Sequence, residues 1–451
     1  MRKKWQKQMP LMPHIKEHEQ SKELQLISNI IDANPIICEQ ALQDLNSDKW
    51  VACRKGANGM SAEQVLRCAI VKTLFNFTYE ELAFHLVDSQ SLSWFCRIGI
   101  GDKGYKKSAL NKNIKAITDA TWQMINAELL GYAKEEKIEK GRTVRIDCTC
   151  VETHIHAPTD STLLWDAVRV LTRLIERCRE NGIRVVGCHN HTRVAKRRML
   201  AVLNARGKKQ RKAAYSDLLK ITGKVIGYSK KASEAVRRSS ASDQLAIALS
   251  GQIDHYVQLA LKVINQTERR VMRGEQVEAQ DKVVSIFEPH TDIIRKSRRD
   301  TIYGHKVCLT GGASNLILDC LILEGNPADS TLALPMLDRQ KELYGRYPLK
   351  ASFDGGFASK DNLAQAKSRK IKDVCFAKKR GLSETDMCRS KYVYRRLRRF
   401  RAGIESGISW LKRCLGFARC TWRGWDSFKS YVWSSIVAAN LLTMARAKPA
   451  G

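Results

Sequence analysis

Residues 143–151, TVRIDCTCV, alternate between polar and apolar side chains and give the first strong indication of the fold. Successive side chains of a β-strand point to opposite faces, so Val144 and Ile146 fall on one face and Arg145 and Asp147 on the other. The segment predicts a strand with an acid at the centre of its polar face. The alternative is an exposed acid on the solvent face of an edge strand.

The chain before this strand, from about residue 61 to 134, has the pattern of a helical domain. SAEQ at 61–64 and TYEE at 78–81 have the form of capping boxes, which begin helices. A third helix is predicted to start after Ser108 and to run through Leu129. A helix-turn-helix DNA reader and a plain helical bundle both fit this pattern.

The chain after the strand alternates between helical and strand patterns, which predicts a mixed α/β (α+β) fold. Helical spacing dominates from about 162 to 283. Beyond it the sequence predicts strands at 283–287, 305–310, 316–323, 349–353 and 371–377, a basic connector at 378–401, a helix at 403–417 and a last helix at 427–445.

Composition points to a nucleic-acid partner. The 451 residues include 78 Lys and Arg but only 46 Asp and Glu, a formal net charge of +32. A surplus of this size favours binding to a polyanion such as DNA. The sequence contains no apolar run long enough for a membrane span and no secretory signal after its basic start. The 14 cysteines form no CxxC pair, so we expect a reduced, cytoplasmic protein.

The positive charge is concentrated in residues 191–240, which hold fifteen Lys or Arg and two acids. A solvated helix face usually mixes both signs, so this segment favours a phosphate-binding arm. We expect its densest cations to contact DNA phosphates: Arg197, Arg198, Lys208, Lys209, Arg211 and Lys212.

Two further acids lie where a metal site would need them. Asp354 follows a predicted strand and precedes Gly355-Gly356, although a turn aspartate often only bonds its own loop. Glu405 is expected in the first turn of the helix at 403–417, where the helix dipole favours any acid. Arg401, Glu405 and Lys412 share one helix face with Ile408, an arrangement suited to binding a metal and nearby phosphates together.

Three carboxylates from separate elements can hold two Mg²⁺ ions for phosphodiester cleavage, and hard oxygen ligands suit that ion. We therefore expect Asp147, Asp354 and Glu405 to be the catalytic and metal-binding residues, with Mn²⁺ able to substitute for Mg²⁺. Glu152, Asp292, Glu324 and Asp329 are the alternative ligands, Asp292 and Asp329 first among them. The cysteines and histidines near residues 148–156 and 188–191 lack the usual spacing of a zinc site.

These motifs together resemble those of bacterial insertion-sequence DDE transposases. Arg401, Glu405 and Lys412 are spaced like the signature around the last acid of that family. IDCTCVETHI around Asp147 and FDGGFAS around Asp354 are similar to the family's first-acid and second-acid segments. FEPHTDIIRK, YGHKVCLT and EGNPADS resemble the strands between those acids, and SAEQVLRCAIVKTLFNFTYEELAFHL the preceding helical domain. One departure is Arg398, which stands where the family commonly has Tyr.

The resemblance implies an RNase H-like mixed sheet flanked by helices, with an all-α N-terminal domain. A second departure is segment 160–283, which separates the first two acids unusually widely and which we interpret as a helical insertion. We therefore expect a DNA-binding domain (1–135), a catalytic domain (140–160 and 284–451) and a basic helical insertion (161–283). The implied activity is metal-dependent cleavage and strand transfer of double-stranded DNA at the terminal repeats of an insertion sequence, within a homo-oligomer. A domesticated, non-catalytic DNA-binding protein and a nuclease with the same two-metal site are the alternatives; all three acids are present, which disfavours the first.

Overall fold

The computed structural model describes residues 18–46, 59–99, 102–239, 244–295, 300–378 and 380–447. Most of the basic N-terminal stretch lies outside these ranges. Within them, no helix is both long and apolar enough to cross a membrane.

In the part of the chain that the structure describes, seven helices precede the first strand: α1 (Glu19–Asp32), α2 (Ile36–Asn46), α3 (Ala62–Leu74), α4 (Tyr79–Asp88), α5 (Gln90–Phe95), α6 (Lys107–Ala116) and α7 (Asp119–Glu135). Both predicted capping boxes are confirmed, with Ser61 and Thr78 as the N-cap residues of α3 and α4. Helix α3 is buried along most of its length and forms the centre of the bundle.

The single helix predicted from Ser108 to Leu129 is wrong, since α6 and α7 are separate. Ile117 is extended, and the side chain of Thr118 caps α7 by accepting a hydrogen bond from the backbone N–H of Thr121. Asp44 accepts the backbone N–H of Thr118 at 2.8 Å, so α2 helps to fix the break.

After these helices, the described residues form a mixed sheet of six strands: β1 (Thr143–Glu152), β2 (Asp292–Arg295), β3 (Thr301–Gly311), β4 (Ile317–Ile322), β5 (Lys350–Phe353) and β6 (Asp373–Phe376). Strand β1 pairs antiparallel with β3 and parallel with β5, and β6 continues the parallel side. The other edge of β3 pairs with two strands: β4 pairs with the C-terminal half of β3, and β2 pairs with the start of β3. This confirms the RNase H-like mixed sheet and makes β1 a central strand.

Helices cover the sheet: α12 (Ala333–Tyr344), α13 (Lys360–Ser368), α14 (Glu384–Met387), α15 (Lys391–Cys414) and α16 (Trp425–Ala447). Helix α15 packs on β1, β5 and β6, whereas α16 packs between β4 and the N-terminal helices. The buried Asn440 of α16 ties these layers together: its Nδ2 donates to Asn126 Oδ1 of α7 and to the Ile317 carbonyl, both at 2.8 Å. One hydrophobic core therefore runs from the N-terminal helices through the sheet.

The insertion lies between β1 and β2 and has a hydrophobic core of its own. It consists of α8 (Asp160–Glu180), α9 (Thr192–Leu203), α10 (Lys208–Ser239) and α11 (Gln244–Thr267), followed by a π-helical turn at Glu268–Arg273. The helical pattern predicted for this region is confirmed.

The strand predicted at 283–287 is wrong. The side chain of Gln266 bonds both backbone groups of Val283, donating to its carbonyl at 3.1 Å and accepting from its N–H at 2.9 Å. Ser285 Oγ accepts the N–H groups of Phe287 and Glu288, each at 3.2 Å. Side chains thus satisfy backbone groups that a strand would offer to a neighbouring strand.

The predicted start of the Glu405 helix near Gly403 is also wrong. Ser390 accepts the N–H of Val393 and caps α15, so most of the predicted basic connector at 378–401 is helical. Glu405 consequently lies near the middle of a 24-residue helix. The dipole of a helix acts within its terminal turn, so it does not explain an acid at this position.

Candidate active site

The sheet register places two of the predicted acids side by side. β1 and β5 are parallel neighbours, and Ile146 pairs with Phe353. The next residue of each chain segment is therefore an acid, Asp147 within β1 and Asp354 directly after β5. Asp354 makes no capping hydrogen bond to the turn that follows it, so its carboxylate is not used by its own loop.

The guanidinium group of Arg401 joins these two acids to Glu405. Arg401 Nη1 lies 3.2 Å from Asp354 Oδ1 and 3.8 Å from Asp147 Oδ2. Those two oxygens are therefore no farther apart than the sum of the distances, about 7 Å. Arg401 Nη2 donates to Glu405 Oε1 at 2.7 Å, one helical turn along α15. The structure thus brings all three predicted acids around one cation.

Burial and the repulsion between like charges disfavour the ionised form of Asp147. The pKa of Asp147 is raised to about 6, chiefly by burial and also by the neighbouring carboxylates of Asp354 and Glu405, against the lowering effects of the Cys148 N–H and of Arg401. The side chains of Asp147, Asp354 and Glu405 are 15%, 43% and 55% exposed, so the cluster opens toward solvent on the side of α15. Arg401 Nη1 is buried and makes no hydrogen bond of good geometry, although it lies among these acids.

The turn after Asp354 is held by two close contacts. A Cβ on Gly355 would lie 2.6 Å from Lys378 Cγ, and one on Gly356 would lie 2.4 Å from Asp329 Oδ2. The Gly-Gly pair accommodates the approach of these two side chains, and a larger residue at either position would require the neighbouring side chain to shift.

Arg145 fixes α15 against the sheet, a role that the sequence did not indicate. Its Nη1 donates to the Phe400 carbonyl at 3.0 Å, and its Nη2 donates to Asn315 Oδ1. The guanidinium also lies 4.7 Å from the centre of the Phe400 ring. Gly403 permits this approach, since a Cβ there would lie 1.9 Å from Arg145 Nη1. This buried cation thereby sets the position of Arg401 and Glu405.

Comparison with known families gives two matches. Residues 282–441 match the family described as Transposase DDE domain, and residues 13–116 match that described as Transposase domain (DUF772). The chain belongs to the insertion-sequence DDE transposases. No curated protein and no solved structure matched the chain. The family carries out metal-dependent cleavage and strand transfer of DNA, and Asp354 and Glu405 lie inside the matched DDE domain.

The donor set of the transposase fits a hard divalent cation. Three carboxylates from a strand, a strand end and a helix supply only oxygen ligands, the type that Mg²⁺ and Mn²⁺ prefer. Among the described residues, no group of three His, Cys, Asp or Glu side chains is already placed to hold one ion. Arg401 occupies the space between the carboxylates and supplies the positive charge there.

The alternative acids of the transposase have other partners. Asp329 forms an ion pair with the buried Lys306 at 2.5 Å, beside the turn that follows Asp354. Asp292 accepts hydrogen bonds from His305 Nδ1 at 2.9 Å and from the Gly325 N–H at 2.7 Å. These contacts point to supporting roles for both acids.

The predicted DNA-binding cations of the insertion lie on the surface of the transposase. They are exposed and occupy α9 and the first turns of α10: Arg197, Arg198, Lys208, Lys209, Arg211 and Lys212. Their contacts within the protein are few, such as Arg198 with Asp217 at 3.6 Å and Lys212 with the Met272 carbonyl at 2.9 Å. On α15, Lys412 is half-buried and lies on the same helix face as Arg401 and Glu405.

Proposed function

We propose that Asp147, Asp354 and Glu405 are the catalytic acids and together hold two Mg²⁺ ions. The observation that carries this proposal is the convergence of the three carboxylates on Arg401. Carboxylates that share so little space repel one another, which disfavours their ionised form unless a cation lies between them. When bound, the two ions would activate the attacking oxygen and stabilise the leaving oxygen of the phosphodiester.

The residues around the acids support binding of the DNA backbone at this place. Arg401 and Lys412 lie on the same face of α15 as Glu405, and the N-terminal half of that helix adds exposed arginines at 395, 396, 398 and 399. Guanidinium and ammonium groups bind phosphate oxygens and fix the register of a duplex. We infer that this helix holds the scissile strand against the three acids.

We further infer the overall arrangement in which this chemistry occurs. The terminal repeats of the element and the target are the double-stranded DNA substrates, brought together by a homo-oligomer in the cytoplasm. Residues 1–135 form a DNA-binding domain, 140–160 and 284–451 the catalytic domain, and 161–283 a basic insertion in which the six exposed cations of α9 and the first turns of α10 named above contact DNA phosphates.

The experiment that tests this proposal is a cleavage and strand-transfer assay on DNA that carries the repeats flanking the coding region. We expect the wild-type protein to cut and join the repeat ends only when Mg²⁺ or Mn²⁺ is added. Alanine at Asp147, Asp354 or Glu405 should abolish both steps and leave DNA binding largely intact. A single variant that cleaves at the wild-type rate would remove that residue from the site, and cleavage without joining would indicate a nuclease.

A further inference from the structure

Helix α8 of the insertion exposes a row of arginines along a stretch that is otherwise buried or half-buried. Between residues 161 and 178, its exposed side chains are Arg169, Arg173 and Arg177. They are spaced four residues apart and so share one face, at intervals of about 6 Å along the helix. Like charges at this spacing destabilise a helix, so the row is unfavourable for the protein alone and becomes favourable beneath an anion.

Two grooves flank this row. The groove between α8 and α11 has a volume of about 480 Å³ and is lined by Arg173, Arg177, His255 and other residues of both helices. The groove between α8 and α9 has a volume of about 690 Å³, and its lining includes Arg169, Arg173 and Arg193. Arg173 borders both grooves, which makes it the centre of the surface.

The cations of these grooves are largely free of acidic partners. Arg169 is the exception, since it pairs with Asp166 at 2.8 Å and lies over the rings of Trp165 and Phe287. Arg173, Arg177 and Arg193 form no ion pair with an acid in the described part of the chain. Glu176, the one acid lining the second groove, accepts a hydrogen bond from Asn190 Nδ2 at 2.8 Å.

We propose that Arg173, Arg177 and Arg193, here called the arginine ridge, bind the sugar–phosphate backbone of the substrate DNA. Successive phosphates of one strand advance about 3.4 Å along a duplex, so cations about 6 Å apart match roughly every second phosphate. This assignment rests on the proposed function, and it identifies the side of the insertion that faces DNA. Helix α10 lines neither groove, although it carries most of the cations in the basic segment.

The test compares two pairs of substitutions that remove the same charge at the same spacing. Arg173→Gln/Arg177→Gln removes two cations of the arginine ridge. Lys220→Gln/Lys224→Gln removes two exposed lysines, also four residues apart, from α10. Binding of a random-sequence duplex is measured against salt concentration, without divalent ions so that no cleavage occurs. Arg173→Lys/Arg177→Lys, which keeps the charge, serves as a third variant.

Each phosphate contact contributes about 0.9 to the slope of log affinity against log salt. We expect the arginine-ridge pair to flatten this slope by about two units, the α10 pair to leave it nearly unchanged, and the lysine variant to retain most of it. An unchanged slope for the ridge pair would overturn the assignment, and so would equal flattening for both pairs, which would reflect net charge alone. Asp354→Asn, measured in parallel, separates the two proposals: loss of cleavage with normal binding supports the catalytic site whatever the ridge variants show.

Discussion

The catalytic core and the helical insertion use their cations in opposite ways. In the core, Arg145 and Lys306 are buried, and Arg401 is 15% exposed; all three contact carbonyl or carboxylate oxygens of the protein. In the insertion, Arg173 and Arg177 are exposed and form no ion pair with described acids. Cations of the first kind build the site, whereas those of the second kind are available for a ligand, so substitutions in the two regions should affect different properties.

The largest effect is expected from the acids of the core. Asp147→Asn and Glu405→Gln keep the shape of each side chain but remove its charge, and metal ions contribute several kcal/mol to transition-state stabilisation. We expect the rate of repeat-end cleavage to fall by about 1,000-fold or more, since each 1.4 kcal/mol is a factor of ten. Glu152→Gln is the matched control, an exposed acid at the end of the same strand. An equal loss of cleavage rate in Glu152→Gln would show that the effect is not specific to the proposed catalytic acids.

The next effect concerns a buried cation that holds the site in place. Arg145→Met removes the donor to the part-buried Phe400 carbonyl and to the Oδ1 of the exposed Asn315. We expect the free energy of unfolding, measured with urea, to fall by about 1–3 kcal/mol, the usual cost of removing the partner of a hydrogen-bonded polar group away from water. A change below about 0.5 kcal/mol, typical of surface sites, would show that α15 is held by other contacts.

In the absence of metal, the ionised carboxylate of Asp147 should lower the free energy of unfolding at neutral pH. Its pKa rises from an ordinary 3.8 to about 6 in the folded protein. The folded state therefore binds the proton more tightly, and this contribution to stability is complete below pH 3.8 and is lost as the pH rises through 6. At neutral pH, we expect Asp147→Asn to raise the unfolding free energy of the metal-free protein by about 2–3 kcal/mol.

Urea unfolding in the presence of a chelator measures this gain at pH 4 and pH 7. The difference between the variant and the wild type should shrink at the lower pH, where Asp147 is largely protonated. Asp354→Asn is the comparison variant, because its carboxylate is more exposed. A destabilised Asp147→Asn at neutral pH would contradict the prediction.

The smallest effect on stability is expected in the insertion. Gln at the six exposed positions 197, 198, 208, 209, 211 and 212 should change the unfolding free energy by no more than about 0.5 kcal/mol per site. The same variant should flatten the salt dependence of DNA binding by several units if these cations contact phosphates. It should weaken binding to cognate and random duplexes alike, because phosphate contacts carry no base information.

Either measurement, of stability or of salt dependence, can contradict the proposed difference between the core and the insertion. A large loss of stability would give the insertion cations a structural role like that of the core. An unchanged salt slope would make them a solvated surface and would leave the arginine ridge and residues 378–401, beside the acids, as the candidates for the DNA path.

Local patterns were sufficient to predict much of the fold. The alternation around Asp147, the Gly-Gly turn after Asp354 and the capping residues Ser61 and Thr78 each depend on a few adjacent residues. The structure brings Asp147 and Asp354 together because β1 and β5 are parallel neighbours in which Ile146 pairs with Phe353, so that the residues following this pair lie side by side. The role of these acids as metal ligands stays a proposal.

The features that the sequence did not predict depend on contacts between residues distant in the chain, or lie where an arginine-rich composition obscures the helical pattern. The N-terminal half of α15 is so rich in arginine that it was interpreted as a connector, although Tyr394 and Leu397 already form its buried stripe. The false strand at 283–287 follows from the side chain of Gln266. Arg145 could not be assigned a role because its acceptor, Phe400, lies 255 residues away in the chain.

The central claim is that Asp147, Asp354 and Glu405 share one metal site, and Fe²⁺-dependent backbone cleavage tests it most directly. Fe²⁺ replaces Mg²⁺, and with ascorbate and peroxide it breaks the chain close to the bound ion. We expect breaks near residues 147, 354 and 405, suppressed by excess Mg²⁺ and lost in Asp354→Asn. Breaks confined to the neighbourhood of Asp292, Glu324 and Asp329, or breaks that persist in Asp354→Asn, would contradict the account.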